Sequence, residues 1–236
     1  YGQKKLKVIL QKLTKLVNIN SVRLLYCYPD MLDDGLIEEI KNNSKIVKYL
    51  DIPLQHSENR ILKLMNRAGS REQYLDLFAR LRREIPEIAI RSTFITGFPT
   101  ETDEEVEALC DFLRKAQLDN CGFFAYSREP DTAAYRIKGQ IPDSVKLCRV
   151  KKLYAVQRGI SEAKLRNYVG NTLKVLCDGI DYDKNCFYGR AYFSAPDIDG
   201  KVYFNAYNAV QGEYYEITVT DSDCYDLYGK TGDFEL

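Results

Sequence analysis

Four strand-like segments, each separated from the next by helix-length stretches, constrain this chain more than any other feature. They are Ser21–Tyr28 (SVRLLYCY), Ile46–Leu54, Ile88–Gly97 (IAIRSTFITG) and Cys121–Tyr126 (CGFFAY), with a helical pattern over Leu6–Leu16 ahead of them. Between them the sequence predicts a helix around Leu36–Asn42, one N-capped by Ser57 that places Ile61, Leu62, Leu64 and Met65 on and beside its inner face, and two with capping boxes. Ser70 and Gln73 open a helix striped by Tyr74, Leu77, Phe78, Leu81 and Ile85; Thr102 and Glu105 open one carrying Val106, Leu109, Phe112 and Leu113. Strands joined by helices pair in parallel, and such strands are usually covered on both faces, which suits the weak alternation of SVRLLYCY and KYLDIP. The predicted fold class is therefore α/β, a partial parallel (β/α) barrel of the TIM-like kind. Four units close only part of a barrel, so Ser21–Tyr28 is expected at an exposed sheet edge, and the sequence reads as cut off before it.

The second half changes style. A polar helix with apolar spacing at Val150, Leu153, Val156 and Ile160 is predicted over Lys146–Arg166. From Val169 onward, five short β-type runs separated by Gly and Asp turns predict a small antiparallel, OB-like barrel. The expected organisation is a barrel part at 1–145, a linking helix at 146–166 and a β domain at 167–236. Charge divides at the same place. The net charge is zero, but residues 1–165 hold 28 Lys and Arg against 22 Asp and Glu, whereas residues 166–236 hold 6 against 12. Two modules with different partners are implied. No apolar run reaches the ~18 residues of a membrane helix, so no membrane partner is expected. The seven cysteines have no two closer than nine positions, which leaves no C-x-x-C ligand set and reads as reduced thiols.

In parallel βα architectures functional groups lie at the C-terminal strand ends. Those positions are Tyr26, Tyr28 and Pro29; Gln55, His56 and Ser57; Gly97, Phe98 and Pro99; and Tyr126, Ser127 and Arg128. His56 is the only histidine in the chain. It can be a site residue or simply a hydrogen-bonded histidine before a helix. Gly97 can be a tight turn, a backbone approached closely by a ligand, or both. Tyr26 and Tyr28 fit barrel-end packing as well as a site. No nucleophile triad and no phosphate-loop glycine pattern is present.

Taken together, RLLYCYP (23–29), KYLDIPLQHSENRILKLMNR (48–67), RSTFITGFPTET (91–102) and FFAYSREPDTAAY (123–135) resemble the radical S-adenosylmethionine (SAM) methylthiotransferases in content and spacing. GRAYFSAPDIDGKVYF (189–204) resembles that family's TRAM domain. YCYP and DIPLQH are similar to the branch that modifies an aspartate of a small-subunit ribosomal protein, the RimO type, rather than the branch that modifies a tRNA adenosine. The resemblance implies strands three to six of a radical SAM barrel followed by TRAM. It implies SAM and two 4Fe–4S clusters in the full-length protein, one held by C-x-x-x-C-x-x-C. Neither cysteine set occurs here, so no cluster and no turnover are expected of this chain alone. Gln55 and His56 match positions facing the ribose and amino-acid part of SAM. Ile95, Gly97 and Phe98 match the adenine side, Tyr126 adds an aromatic at the last strand end, and Tyr26 and Tyr28 border the substrate opening. Thr100 stands where the family often has glycine. The acidic TRAM domain is expected to attract a basic ribosomal protein and to repel RNA, and a cytoplasmic location follows. The rivals are a fragment of the tRNA-modifying branch and a non-catalytic binding protein on the same scaffold.

Overall fold

The computed structural model describes residues 5–234, which fall into two units, Tyr1–Gln157 and Arg158–Leu236. The first contains α1 (Leu6–Leu13), β1 (Val22–Leu24), α2 (Asp34–Asn42), β2 (Ile46–Asp51), α3 (Asn59–Leu64), α4 (Arg71–Glu84), β3 (Ala89–Thr96), α5 (Asp103–Ala116) and β4 (Asn120–Ala125). Helix α6 (Asp143–Arg166) follows and contains the division between the units.

The strands form one all-parallel sheet in the order β1-β2-β3-β4. Along β3, Ile90, Ser92, Phe94 and Thr96 are buried, while Arg91, Thr93 and Ile95 between them are only half-buried. The buried face is held by aromatic packing. Phe94 meets Phe112 of α5 at 6.1 Å and Phe123 of β4 at 5.8 Å, and Phe112 meets Phe78 of α4 at 6.4 Å. Phe78, Phe94 and Phe112 are at most 1% exposed, each stabilising the unit by roughly 2 kcal/mol through burial. The opposite face is therefore not covered to the same degree within this chain, contrary to the expectation of two equally covered faces.

Capping explains where α2, α4 and α5 start. Asp33 Oδ1 accepts the Leu36 amide of α2 at 2.9 Å, Ser70 Oγ accepts the Gln73 amide of α4, and Thr102 and Glu105 form both bonds of a capping box on α5. The cap predicted at Ser57 is corrected: Glu58 is the N-cap residue of α3, with no side-chain cap. Of the residues expected on and beside its inner face, Ile61 and Leu62 are buried, while Leu64 is 41% exposed. Two strands are shorter than predicted. β1 stops at Leu24 because Tyr26 adopts a left-handed φ of 57°, and β2 stops at Asp51.

The second unit is a barrel of β5 (Thr172–Asp181), β6 (Cys186–Arg190), β7 (Val202–Asn205), β8 (Tyr214–Ser222) and β9 (Leu227–Thr231). It closes in the order β5-β6-β7-β9-β8. The expectation of a wholly antiparallel barrel is corrected, since β7 and β9 pair in parallel. Parity requires this: an odd number of strands cannot alternate direction all the way round a closed ring. Among the described residues no helix is long and apolar enough to cross a membrane.

Candidate cofactor wall at the strand ends

The backbone of β2 does not leave the sheet when its ladder ends. Ile52 donates to Arg91 O at 2.8 Å, Gln55 donates to Thr93 O at 2.8 Å, and Gln55 O accepts from Ile95 at 2.7 Å. Between them Pro53 has no N–H to give. Gln55 reaches this bridge only by taking a left-handed φ of 73°, which leaves its side chain half-buried at the rim. The next residue turns inward: His56 is fully buried.

Both ring nitrogens of His56 are engaged. Nδ1 accepts the Glu58 amide at 3.0 Å, so the proton sits on Nε2, which donates to Glu101 Oε1 at 3.0 Å. Glu101 is the hub of the site. Its Oε2 accepts from Thr96 Oγ1 at 2.9 Å, the Gly97 amide at 2.7 Å and Arg149 Nη1 at 2.7 Å. Arg149 continues to the Glu101 carbonyl at 3.2 Å and to Asp103 Oδ1 at 2.7 Å. A carboxylate buried with four donors is fully engaged, as a buried charge must be. It ties the end of β2, the turn after β3 and the start of α6 into one piece.

Gly97 and Phe98 form the turn that this carboxylate holds. Gly97 has a φ of 77°, and a Cβ there would lie 2.3 Å from Lys146 Cγ. Phe98 is buried and packs edge-on against Tyr126, with ring centroids 5.1 Å apart. The Lys146 ammonium lies 5.5 Å from the Tyr126 ring and pairs with Asp143 at 2.9 Å. The structure thus brings Gln55, His56, Ile95, Gly97, Phe98 and Tyr126 to one end of the sheet. Tyr26 (76% exposed) and Tyr28 (58%) lie at the end of β1, where Arg67 stacks over Tyr28 at 5.3 Å.

Sequence reasoning missed Glu101, Lys146 and Arg149. Glu101 stands just before a capping box and reads as a surface carboxylate. The helical stripe of α6 gave a usable signal, because Lys146 and Arg149 precede Leu153 and Gln157 at three- and four-residue spacing, and all four are buried. Thr100 was singled out from the sequence, and its φ of 70° explains why glycine suits that position.

Two absent groups can be tested against these residues. The half-buried Gln55 and Ile95 offer a polar edge and an apolar face that suit a nucleoside, the space beside Gly97 being taken by the Lys146 side chain, and the buried Tyr126 hydroxyl has no hydrogen-bond partner among the described residues. An iron–sulfur cluster has no such fit, since among the described residues no group of three or more His, Cys, Asp or Glu side chains could hold a metal ion.

The sequence matches the family model described as the Radical SAM superfamily over residues 2–113 and the TRAM domain over residues 169–231. The ribosomal protein uS12 methylthiotransferase RimO of Lachnoclostridium phytofermentans is 43% identical over 97% of this chain and 52% of its own length. The protein of the same name from Thermodesulfovibrio yellowstonii is 46% identical over 95% of this chain and 52% of its own. The chain spans about half the length of the curated relatives it matches. Among solved structures, coproporphyrinogen III oxidase (HemN) from Escherichia coli, described as a radical SAM enzyme, aligns with a TM-score of 0.55 at 19% identity. That alignment covers 66% of this chain and 38% of the other, and it is a likeness of fold. With this sheet, its small closed barrel and relatives that match along nearly its whole length, the chain belongs to the radical SAM methylthiotransferase family, in its RimO type.

Proposed function

We propose that this chain is the part of a RimO-type enzyme that carries one wall of the SAM site together with the TRAM domain. The reaction is methylthiolation of the β-carbon of an aspartate in ribosomal protein uS12. The observation that carries this reading is identity above 40% along almost the entire chain to proteins named for that activity. Residues 1–145 then belong to the barrel, 146–166 to the linking helix and 167–236 to TRAM.

SAM at a reduced cluster supplies the hydrogen-abstracting chemistry in this family, and the cluster ligands are not among this chain's residues. The chain's own contribution is positional. Gln55 presents amide groups to the ribose and amino-acid side, and Ile95, Gly97 and Phe98 line the adenine side. His56, with both nitrogens engaged by protein, acts by fixing the rim. Tyr126 closes the last strand end, and Tyr26 and Tyr28 border the opening through which the aspartate enters. The acidic TRAM unit recruits the basic substrate protein and, bearing more than twice as many carboxylates as cations, disfavours RNA.

Incubating uS12 with SAM, a reductant, sulfide as the source of the added sulfur and the product of the complete reading frame that encodes this chain tests the proposal. Peptide mass spectrometry should find one methylthio group on an aspartate side chain, and the 236-residue chain alone should leave uS12 unmodified. Modification of a tRNA adenosine instead would assign the protein to the other branch.

A further inference from the structure

The barrel of the second unit carries a feature that the SAM wall does not use. Register places Tyr188 of β6 opposite Tyr203 of β7, and Tyr203 opposite Tyr228 of β9, so three rings form a row across three strands. Tyr203 and Tyr228 are stacked at 5.7 Å with 16° between their planes. The chain's own lysines lie on this row. Lys184 Nζ is 3.4 Å from the Tyr203 centroid and 5.5 Å from that of Tyr228, and Lys201 Nζ is 4.3 Å from that of Tyr188.

Carboxylates surround the Lys184 end of the row and are fixed by the backbone. Asp223 Oδ1 accepts the amides of Tyr225 and Asp226 at 2.7 Å each, while its Oδ2 accepts the Tyr228 hydroxyl at 2.8 Å. Asp226 accepts the Lys201 amide at 2.7 Å, and Asp181 accepts those of Asp183 and Lys184 at 3.0 Å. Lys184 itself is an exposed side chain in the turn between β5 and β6. Partial burial works against its charge, yet Tyr203, Asp226 and Asp181 outweigh that and raise its pKa. The arrangement is prebuilt for a cation, and its present occupant is held there on a flexible, exposed stem.

We propose that Tyr203 and Tyr228, rimmed by Asp181, Asp223 and Asp226, form a seat for a lysine or arginine side chain of a basic polypeptide, and that Lys184 is the stand-in which such a side chain displaces. Asp181, Asp223 and Asp226 all act electrostatically on this one ammonium. A nucleobase stacking here would bring its phosphate against them once Lys184 had left, which disfavours RNA as the occupant. The inference rests on the reading that the TRAM unit meets a basic protein, and it adds where and how that protein is gripped.

The probe is an acetylated hexapeptide of alternating lysine and glycine, added to the full 236-residue chain carrying carbon-labelled lysine. In the free chain the ring currents of Tyr203 should move the Lys184 ε-methylene signals upfield. Saturating peptide should return them to ordinary positions, and a peptide with acetylated lysines should not. Lys184→Ala should tighten peptide binding about fivefold beyond Lys174→Ala, which makes the same charge change on β5. Peptide binding that leaves the Lys184 signals unmoved and treats the two variants alike would overturn the seat while the basic-partner reading stands. No peptide binding at low salt would overturn both. Displacement of Lys184 by oligouridylate rather than by peptide would make the row a base-stacking platform and overturn the cation seat.

Discussion

Glu101 concentrates more of the site's order than any other side chain. It accepts from His56, Thr96, Gly97 and Arg149, and its own side chain is fully buried. Glu101→Gln keeps the shape but supplies one acceptor oxygen where two are used, and leaves the Arg149 charge with only the exposed Asp103 carboxylate as its partner. Urea denaturation should show a loss of about 3 kcal/mol, and a loss under 1 kcal/mol would mean that the network is ornamental. At Thr100 the opposite sign applies. Its φ of 70° is costly for a β-branched residue, and its hydroxyl returns only a partly exposed bond from Arg60 at 3.0 Å. Thr100→Gly should therefore exceed Thr100→Ala in stability by about 1 kcal/mol, measured by thermal unfolding. Cys27 adds a pH dependence. Burial, with Asp51 nearby, raises its thiol from 9.0 to about 11, so above pH 9 the unfolded chain ionises first. Its contribution to stability is complete below pH 9 and is lost as pH rises through about 11. Cys27→Ala should flatten the stability curve across that window, and an unchanged slope would contradict this assignment.

At the scale of elements, the turn after β3 and the start of α6 are built around each other. Lys146 fills the space that a side chain at position 97 would need, so Gly97→Ala meets both a steric clash and a left-handed φ of 77°. It should cost about 3 kcal/mol, and adding Lys146→Ala should recover part of that loss, with the backbone strain remaining. Additive effects in a double-mutant cycle would mean that the two elements do not meet there. These elements also show what the sequence makes legible. The stripes of α4 and α5, the caps at Ser70 and Thr102 and the parallel order of the sheet follow from local periodicity and capping chemistry. The hub does not. Glu101 collects donors from positions 4, 5, 45 and 48 residues away, and no local pattern distinguishes it from a solvated carboxylate. The strand ends were misjudged for a related reason, because left-handed turns at Tyr26 and Gln55 occur in residues that do not advertise them. His56 shows both sides: its position at the rim is readable from the strand pattern, but its engagement by Glu58 and Glu101 depends on tertiary structure.

Across the whole molecule, the proposed reading gives the two units different chemistry. The parallel sheet gathers Gln55, Ile95 and Gly97 at its strand ends, the wall proposed to face a nucleoside, and the closed β barrel carries a carboxylate-rich, tyrosine-bearing surface. The wall is the central claim, and it can be tested without any cluster by using 5′-methylthioadenosine, which lacks the amino-acid part of SAM. The measurement is a methyl and amide NMR titration of this chain at millimolar ligand. Saturable shifts are predicted at the Ile95 methyls, the Gln55 side-chain amide and the Gly97 amide, with the β barrel silent. Shifts elsewhere in the chain with these three unmoved, or no shifts at all, would contradict the account.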